Sequence, residues 1–187
     1  MSTDYELLRS FNIRAVRDGT CWPLLERAGE FDFSTLVPML ETARQHDIQV
    51  IWNILHYGCP NDLDLLSPAF VDRFARYCTA LTRFIHTDRV PFYTPINEIS
   101  FLSRAAGDVG YIHPFGFSKG RELKRQLVRA AIAGIEAIWQ VNPKARIVQV
   151  DPVINVVAPR DHPELAPQAA PQRAGQFEAW VMMTRAG

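Results

Sequence analysis

The sequence lacks the features that mark several common protein classes. Its 20 Lys and Arg balance 20 Asp and Glu, so no basic excess points to nucleic acid and no acidic tail is present. The longest apolar runs, such as IAGIEAIW, are far too short to cross a bilayer. The beginning, MSTDYELLRSF, lacks the charged-then-apolar layout of a secretory signal. These absences predict a cytoplasmic globular protein with no nucleic-acid or membrane partner.

Cysteine is scarce, and so are the motifs of cofactor-binding folds. Cys21, Cys59 and Cys78 are an odd number of cysteines without metal-like spacing, so we expect buried thiols in a reducing compartment. No GxGxxG or GxxxxGK[ST] pattern follows a predicted strand, which removes the usual signature of nucleotide-binding folds. The sequence therefore implies no cofactor and no metal.

Short apolar runs alternate with segments of helical period along the chain. The runs are nearly continuous in apolar and β-branched residues, as in strands covered on both faces, and span 12–17, 48–56, 91–96 and 145–151. Apolar residues spaced by three and four predict helices over 4–10, 33–47, 67–85 and 121–143, with another beginning near 174. The Pro- and Ala-rich segment 158–173 is expected to be a surface loop. Alternation of this kind predicts a parallel α/β sheet within one domain, residues 1–187.

Polar residues stand at the ends of the predicted strands. They are Arg17, His56, the pair Asn97–Glu98, and Asp151. The segments that begin at His56 and Glu98 are longer than most connections from a strand to a helix. Because α/β folds place their chemistry in the loops at the carboxyl ends of parallel strands, this layout predicts the active-site end of a (β/α)8 TIM barrel.

Three motifs in the same order resemble those of a known family. AVRDGTCW, NILHYGCP and TPINE are similar to the consecutive strand-end motifs of clan A glycoside hydrolases, most nearly the family 1 beta-glucosidases. The resemblance implies hydrolysis of O-glycosyl bonds with retention, with Glu98 as the general acid/base. It also implies that Asn97 binds the sugar 2-hydroxyl, that His56 binds a sugar hydroxyl, and that Arg17 lies on the same rim.

Two aromatic residues add to the expected binding surface, and two positions depart from the family pattern. Trp22 and Tyr57 follow strand ends, where they would offer apolar faces to a sugar ring. Ile99 stands where the family has Pro after the Glu. Tyr57 and Gly58 replace the aromatic residue and Asp that the family has after its His. The expected partner is a carbohydrate, and these departures indicate a distant relative.

The length predicts only part of a barrel. A complete barrel takes about 250 residues, and the resemblance places this chain over barrel strands two to five. The family's nucleophile, a Glu on strand seven, has no counterpart here, so we expect the chain alone to be inactive. Segments 12–17 and 145–151 would be unpaired edges, which predicts self-association or poor solubility, measurable by light scattering.

Other interpretations of the same residues stay open. Glu98 would form a structural ion pair with Arg17 if the site were not catalytic. His56, Glu98, His113 and Asp151 would form a metal site if the chain were a metal-dependent TIM-barrel hydrolase. The chain would also be a non-catalytic half-barrel if it only bound carbohydrate or a second copy of itself. Asp151 is the one nearby acid that would replace the missing nucleophile, although Pro152 favours a role in a turn.

Overall fold

The computed structural model describes residues 2–85 and 87–184. The strands are β1 (Ala15–Gly19), β2 (Glu26–Arg27), β3 (Glu30–Phe31), β4 (Gln49–Leu55), β5 (Phe92–Ile96) and β6 (Arg146–Ile147). The α-helices are α1 (Ser2–Ser10), α2 (Trp22–Leu25), α3 (Val37–Gln45), α4 (Pro68–Phe84), α5 (Ile99–Leu102), α6 (Gly120–Val141), α7 (Ala166–Gly175) and α8 (Glu178–Thr184). Short 3-10 turns precede α3 and α7, and a π-helical stretch, Ser103–Asp108, follows α5.

Four strands form the parallel sheet that the alternating pattern predicts. Their order is β1–β4–β5–β6, and every pairing in this sheet is parallel. The register sets Arg17 beside Ile51, and Ile51 beside Phe92. A separate antiparallel pair, β2 with β3, lies between β1 and α3, and the sequence pattern did not predict it.

Helices α4 and α6 pack against each other and supply much of the core. Phe70, Phe74 and Tyr77, which share the predicted apolar stripe of α4, are fully buried. The two helices approach closely where Gly134 of α6 faces α4, because a Cβ at that position would lie 2.8 Å from Cε1 of Phe74. Pro38 falls in the first turn of α3, as the sequence requires.

Both outer strands of the parallel sheet pair on one side only. Along β1, Ala15, Arg17 and Gly19 are exposed and alternate with half-buried neighbours. The predicted strand 145–151 is reduced to Arg146–Ile147, and no further strand continues the ladder within residues 2–85 and 87–184. Association through these edges remains a prediction.

Backbone hydrogen bonds extend the contact beyond β6. The Val148 amide donates to the Tyr93 carbonyl at 2.8 Å, and the Glu98 amide donates to the Val150 carbonyl at 3.2 Å. The segment after β6 therefore stays attached to the end of β5, although it is not a regular strand.

The expected loop at 158–173 is wrong over its second half, which belongs to helix α7. Alanine has the highest helix propensity of all residues, and Pro167 lies in the first helical turn, where its missing N–H costs no hydrogen bond. Pro171 lies inside the helix. The helix expected near 174 begins at Glu178, and residues 185–187 of that prediction lie outside the described residues.

The cysteines are free, but they are not all buried. Cys59 and Cys78 are buried, whereas Cys21 is exposed just before α2, which corrects the expectation of three buried thiols. Burial raises the pKa of Cys59 to about 11 and raises that of Cys78 further. Among the described helices, none is both long and apolar enough to span a membrane.

Candidate functional site

Four polar side chains form one chain of hydrogen bonds at the carboxyl-terminal end of the sheet. Nη1 of Arg17 donates to Oδ1 of Asn97 at 2.5 Å. Nδ2 of Asn97 donates to the hydroxyl of Tyr57 at 2.8 Å. The Tyr57 hydroxyl donates to Oε2 of Glu98 at 2.6 Å. The predicted convergence of Arg17 with the Asn97–Glu98 pair is therefore present, with Tyr57 as the link.

Arg17 reaches this site from within a strand rather than from its end. It is the middle residue of β1, so its long side chain extends past the end of the strand to meet Asn97. The expected position of Arg17 at the end of the first predicted strand, 12–17, is therefore wrong, because β1 begins and ends later than the apolar run suggests. The guanidinium contacts Asn97, one of the two residues that it was expected to orient. Among the described contacts it forms no ion pair with Glu98.

The backbone at the two strand ends fixes the other three side chains. Asn97 is 1% exposed, and its backbone N–H donates to the Leu55 backbone carbonyl at 2.9 Å. Glu98 is half-buried and has a left-handed backbone with φ of 47°. Tyr57 has the same left-handed conformation, with φ of 66°. Non-glycine residues in this region cost about 1–3 kcal/mol each and occur often at functional sites.

His56 stands beside this chain and is held by Asn53 of β4. Nδ2 of Asn53 lies 3.0 Å from Nδ1 of His56, which makes Nδ1 the acceptor and leaves the ring proton on Nε2. Burial, reinforced by the Arg17 cation, lowers the pKa of His56, while Glu98 acts in the opposite direction. His56 is therefore neutral at pH 7 and presents an N–H donor.

We expect two substitutions to move the pKa of His56 in opposite directions. Arg17→Met removes a cation and should raise it, whereas Glu98→Gln removes an anion and should lower it further. An NMR titration of the His56 ring protons measures both changes. Arg121→Met removes an exposed charge that does not act on His56 and should leave the titration unchanged. Shifts of equal sign in the two site variants would contradict the arrangement.

Asp151 serves the helix that follows Glu98. Its Oδ1 accepts a hydrogen bond from the Ser100 amide at 3.0 Å, and its Oδ2 accepts one from the Ser100 hydroxyl at 2.8 Å. Burial raises the pKa of Asp151, and the Ser100 hydrogen bonds oppose that effect. Both of its carboxyl oxygens are thus occupied at the start of α5.

The geometry corrects the expectation for Trp22. This residue is 1% exposed, and its ring stacks on that of Tyr77 with centroids 5.0 Å apart. Its Nε1 donates to Oε2 of Glu26 at 2.6 Å. A ring enclosed in this way offers no face to a sugar, because the strand-to-helix segment folds it back onto α4.

The residues of the metal alternative are not brought together. In the part of the chain that the structure describes, no group of three or more His, Cys, Asp and Glu side chains is placed to hold a metal ion. Nδ1 of His113 instead lies 3.9 Å from Sγ of Cys59.

Sequence reasoning missed the role of Asn53 and of the Tyr57 hydroxyl. Asn53 is 2% exposed, and its Oδ1 has no hydrogen-bond partner among the described residues. The available signal was a single polar residue inside the apolar run VIWNIL, residues 50–55. Tyr57 was expected to offer its ring, which does pack against His56 and Phe101, with centroids at 4.5 and 5.4 Å.

Comparisons with known proteins relate the fold to that of glycoside hydrolases. No protein-family model and no curated protein sequence matches the chain. The AHE enzyme from Alicyclobacillus herbarius superposes with a TM-score of 0.85 at 16% identity, over 95% of this chain and 42% of that one. The virulence factor SghA, solved with its substrate analog salicin, gives 0.82 at 16% identity, over 96% of this chain and 42% of that one.

A third solved structure comes from the family that the motifs resemble. The family 1 beta-glucosidase from Thermotoga maritima, in complex with isofagomine lactam, gives a TM-score of 0.77 at 17% identity, over 91% of this chain and 41% of that one. The chain thus spans about two-fifths of the length of these structures. Its fold is a partial (β/α)8 barrel, about strands two to five, of the kind found in family 1 beta-glucosidases and related glycoside hydrolases.

Proposed function

We propose that the chain carries the acid/base part of a retaining, beta-glucosidase-like glycoside hydrolase site, with Glu98 as the general acid/base. The single observation that carries the proposal is the chain of hydrogen bonds from Arg17 through Asn97 and Tyr57 to Glu98. It joins three neighbouring strands at the end of the sheet where barrels of this kind place their chemistry.

The proposed chemistry follows from the position of each group. Glu98 gives a proton to the glycosidic oxygen as the bond to the sugar breaks, and later takes one from water. His56 donates from Nε2 to a sugar hydroxyl, since its Nδ1 is taken by Asn53. Asn97 contacts the 2-hydroxyl through the amide proton that Tyr57 does not use. Arg17 holds Asn97 in that orientation.

A second carboxylate would be needed for turnover. Retaining enzymes hold a nucleophile about 5–5.5 Å from the acid/base, and Asp151 is engaged by Ser100 through both of its oxygens. We therefore propose that this chain alone binds glycosides without hydrolysing them. No metal or cofactor takes part in the proposed reaction.

Glucoimidazole, which occurs in a complex of the Thermotoga maritima beta-glucosidase, is a suitable probe. We expect it to shift the NMR signals of Tyr57, Asn97 and Glu98 in a saturable titration, while imidazole without a sugar does not. We also expect no release of nitrophenol from 4-nitrophenyl β-glucoside. Absence of any shift at these three residues would overturn the assigned site. Turnover by the chain alone would instead overturn only the claim that it lacks a nucleophile.

A further inference from the structure

The hydroxyl of Tyr57 has two hydrogen bonds in the site, and their directions are determined by its neighbours. We propose that Tyr57 is a positioning residue for Glu98, whose hydroxyl holds Oε2 and reserves Oε1 for proton exchange with the substrate. This inference rests on the proposed function of Glu98. It gives Tyr57 a role that differs from the apolar sugar platform expected from its sequence position.

The direction of each hydrogen bond follows from Arg17. A guanidinium can only donate, so the atom of Asn97 that faces Arg17 is its oxygen, Oδ1. The amide nitrogen of Asn97 must then face Tyr57, where it donates to the hydroxyl oxygen. The one hydroxyl proton of Tyr57 is left for Glu98. The permanent positive charge of Arg17 thus fixes which group donates and which accepts in each hydrogen bond from Arg17 to Glu98.

The consequence for Glu98 concerns its two carboxyl oxygens. Because Oε2 accepts the proton of Tyr57, a proton carried by Glu98 belongs on Oε1. Among the described residues, no hydrogen bond engages Oε1. An acid that transfers its proton needs one oxygen held and the other free to face the substrate, and Tyr57 provides this division.

The surroundings of Tyr57 keep its hydroxyl in place. Its ring lies between His56 and Phe101, with centroid distances of 4.5 and 5.4 Å. Burial and the Glu98 carboxylate raise the pKa of Tyr57 well above its ordinary value, so the phenol stays a donor throughout the working range of pH. The left-handed backbones of Tyr57 and Glu98 aim both side chains at this contact from neighbouring strand ends.

The test compares Tyr57→Phe with Tyr111→Phe. Each substitution removes one hydroxyl, and Tyr111 is exposed, without a hydroxyl hydrogen bond among the described contacts. The affinity for glucoimidazole is measured against pH, and the Asn97 side-chain amide is followed by NMR. Folding of both variants is checked from their amide spectra.

Loss of the Tyr57 hydroxyl disfavours the charged carboxylate of Glu98. The acidic limb of the affinity profile is the fall in affinity for glucoimidazole at low pH. We therefore expect this limb to move to higher pH in Tyr57→Phe, with a several-fold loss of affinity. The Asn97 amide signal should shift because its acceptor is gone. In Tyr111→Phe the profile and the amide signal should match those of the original chain.

The possible failures are distinguishable. If the original chain binds glucoimidazole and the acidic limb of the Tyr57→Phe profile stays at the same pH, the positioning role is overturned and the proposed function stands. A uniform loss of affinity at every pH, without movement of the limb, shows a purely structural contact and also overturns it. If the original chain does not bind, the proposed function fails, and this inference fails with it.

Discussion

Replacing Arg73 by Met is expected to lower the free energy of unfolding by roughly 3–5 kcal/mol, because it leaves a buried carboxylate without its cation. Nε of Arg73 lies 2.7 Å from Oε1 of Glu26, whose side chain is 1% exposed. The other Glu26 oxygen accepts only the Trp22 indole proton, at 2.6 Å, among the described contacts. Urea denaturation measures the change.

Matched variants show where this cost arises. Arg76 is an exposed residue of the same helix, and Arg76→Met should change stability by no more than about 0.5 kcal/mol. Asp62, which Arg73 also binds through both terminal nitrogens, is exposed, so Asp62→Asn should have a small effect. Adding Glu26→Gln to Arg73→Met should recover part of the loss. Equal costs for Arg73→Met and Arg76→Met would contradict a buried pair.

This ion pair also bears on the site. Arg73 connects α4 and β2 to the segment after β4, through Asp62. That segment begins with His56 and Tyr57. Loosening it should therefore weaken glucoimidazole binding as well as stability, although no residue of the ion pair belongs to the proposed binding surface.

The sequence predicts the sheet well because its signal is local. The order of strands and helices follows from the period of the apolar residues, and the parallel arrangement follows from the alternation. The pair Asn97–Glu98 was identifiable because two polar residues directly follow the buried run of β5. Such patterns depend on neighbours in the chain, which a single sequence displays directly.

The contacts that complete the site depend on distant segments. Arg17 and Asn97 are 80 residues apart, and Tyr57 and Glu98 are 41 apart. Nothing in the local pattern shows that the Tyr57 hydroxyl, rather than its ring alone, would meet Glu98. Trp22 was misplaced for the same reason, because its burial depends on α4, which begins at Pro68.

Replacing Glu98 by Gln is expected to raise the Kd for glucoimidazole by roughly 10- to 100-fold. A hydrogen bond to a charged group contributes about 1.5–3 kcal/mol, and about 1.4 kcal/mol corresponds to a factor of ten in affinity. Gln keeps the size of Glu but carries no negative charge, so a basic heterocycle loses its ionic partner. The acidic limb of the affinity profile should disappear at the same time, since residue 98 no longer takes up a proton.

Glu136→Gln is the matched control for this substitution. Glu136 is exposed on α6, and no hydrogen bond or ion pair engages it among the described contacts. The affinity profile of Glu136→Gln should therefore overlay that of the original chain. If Glu98→Gln bound glucoimidazole as tightly as Glu136→Gln, residue 98 would not be the group that meets the ligand. A general acid/base at position 98 requires that Glu98→Gln lose both affinity and pH dependence. A residue that only shaped the pocket would change the affinity and leave the pH profile in place.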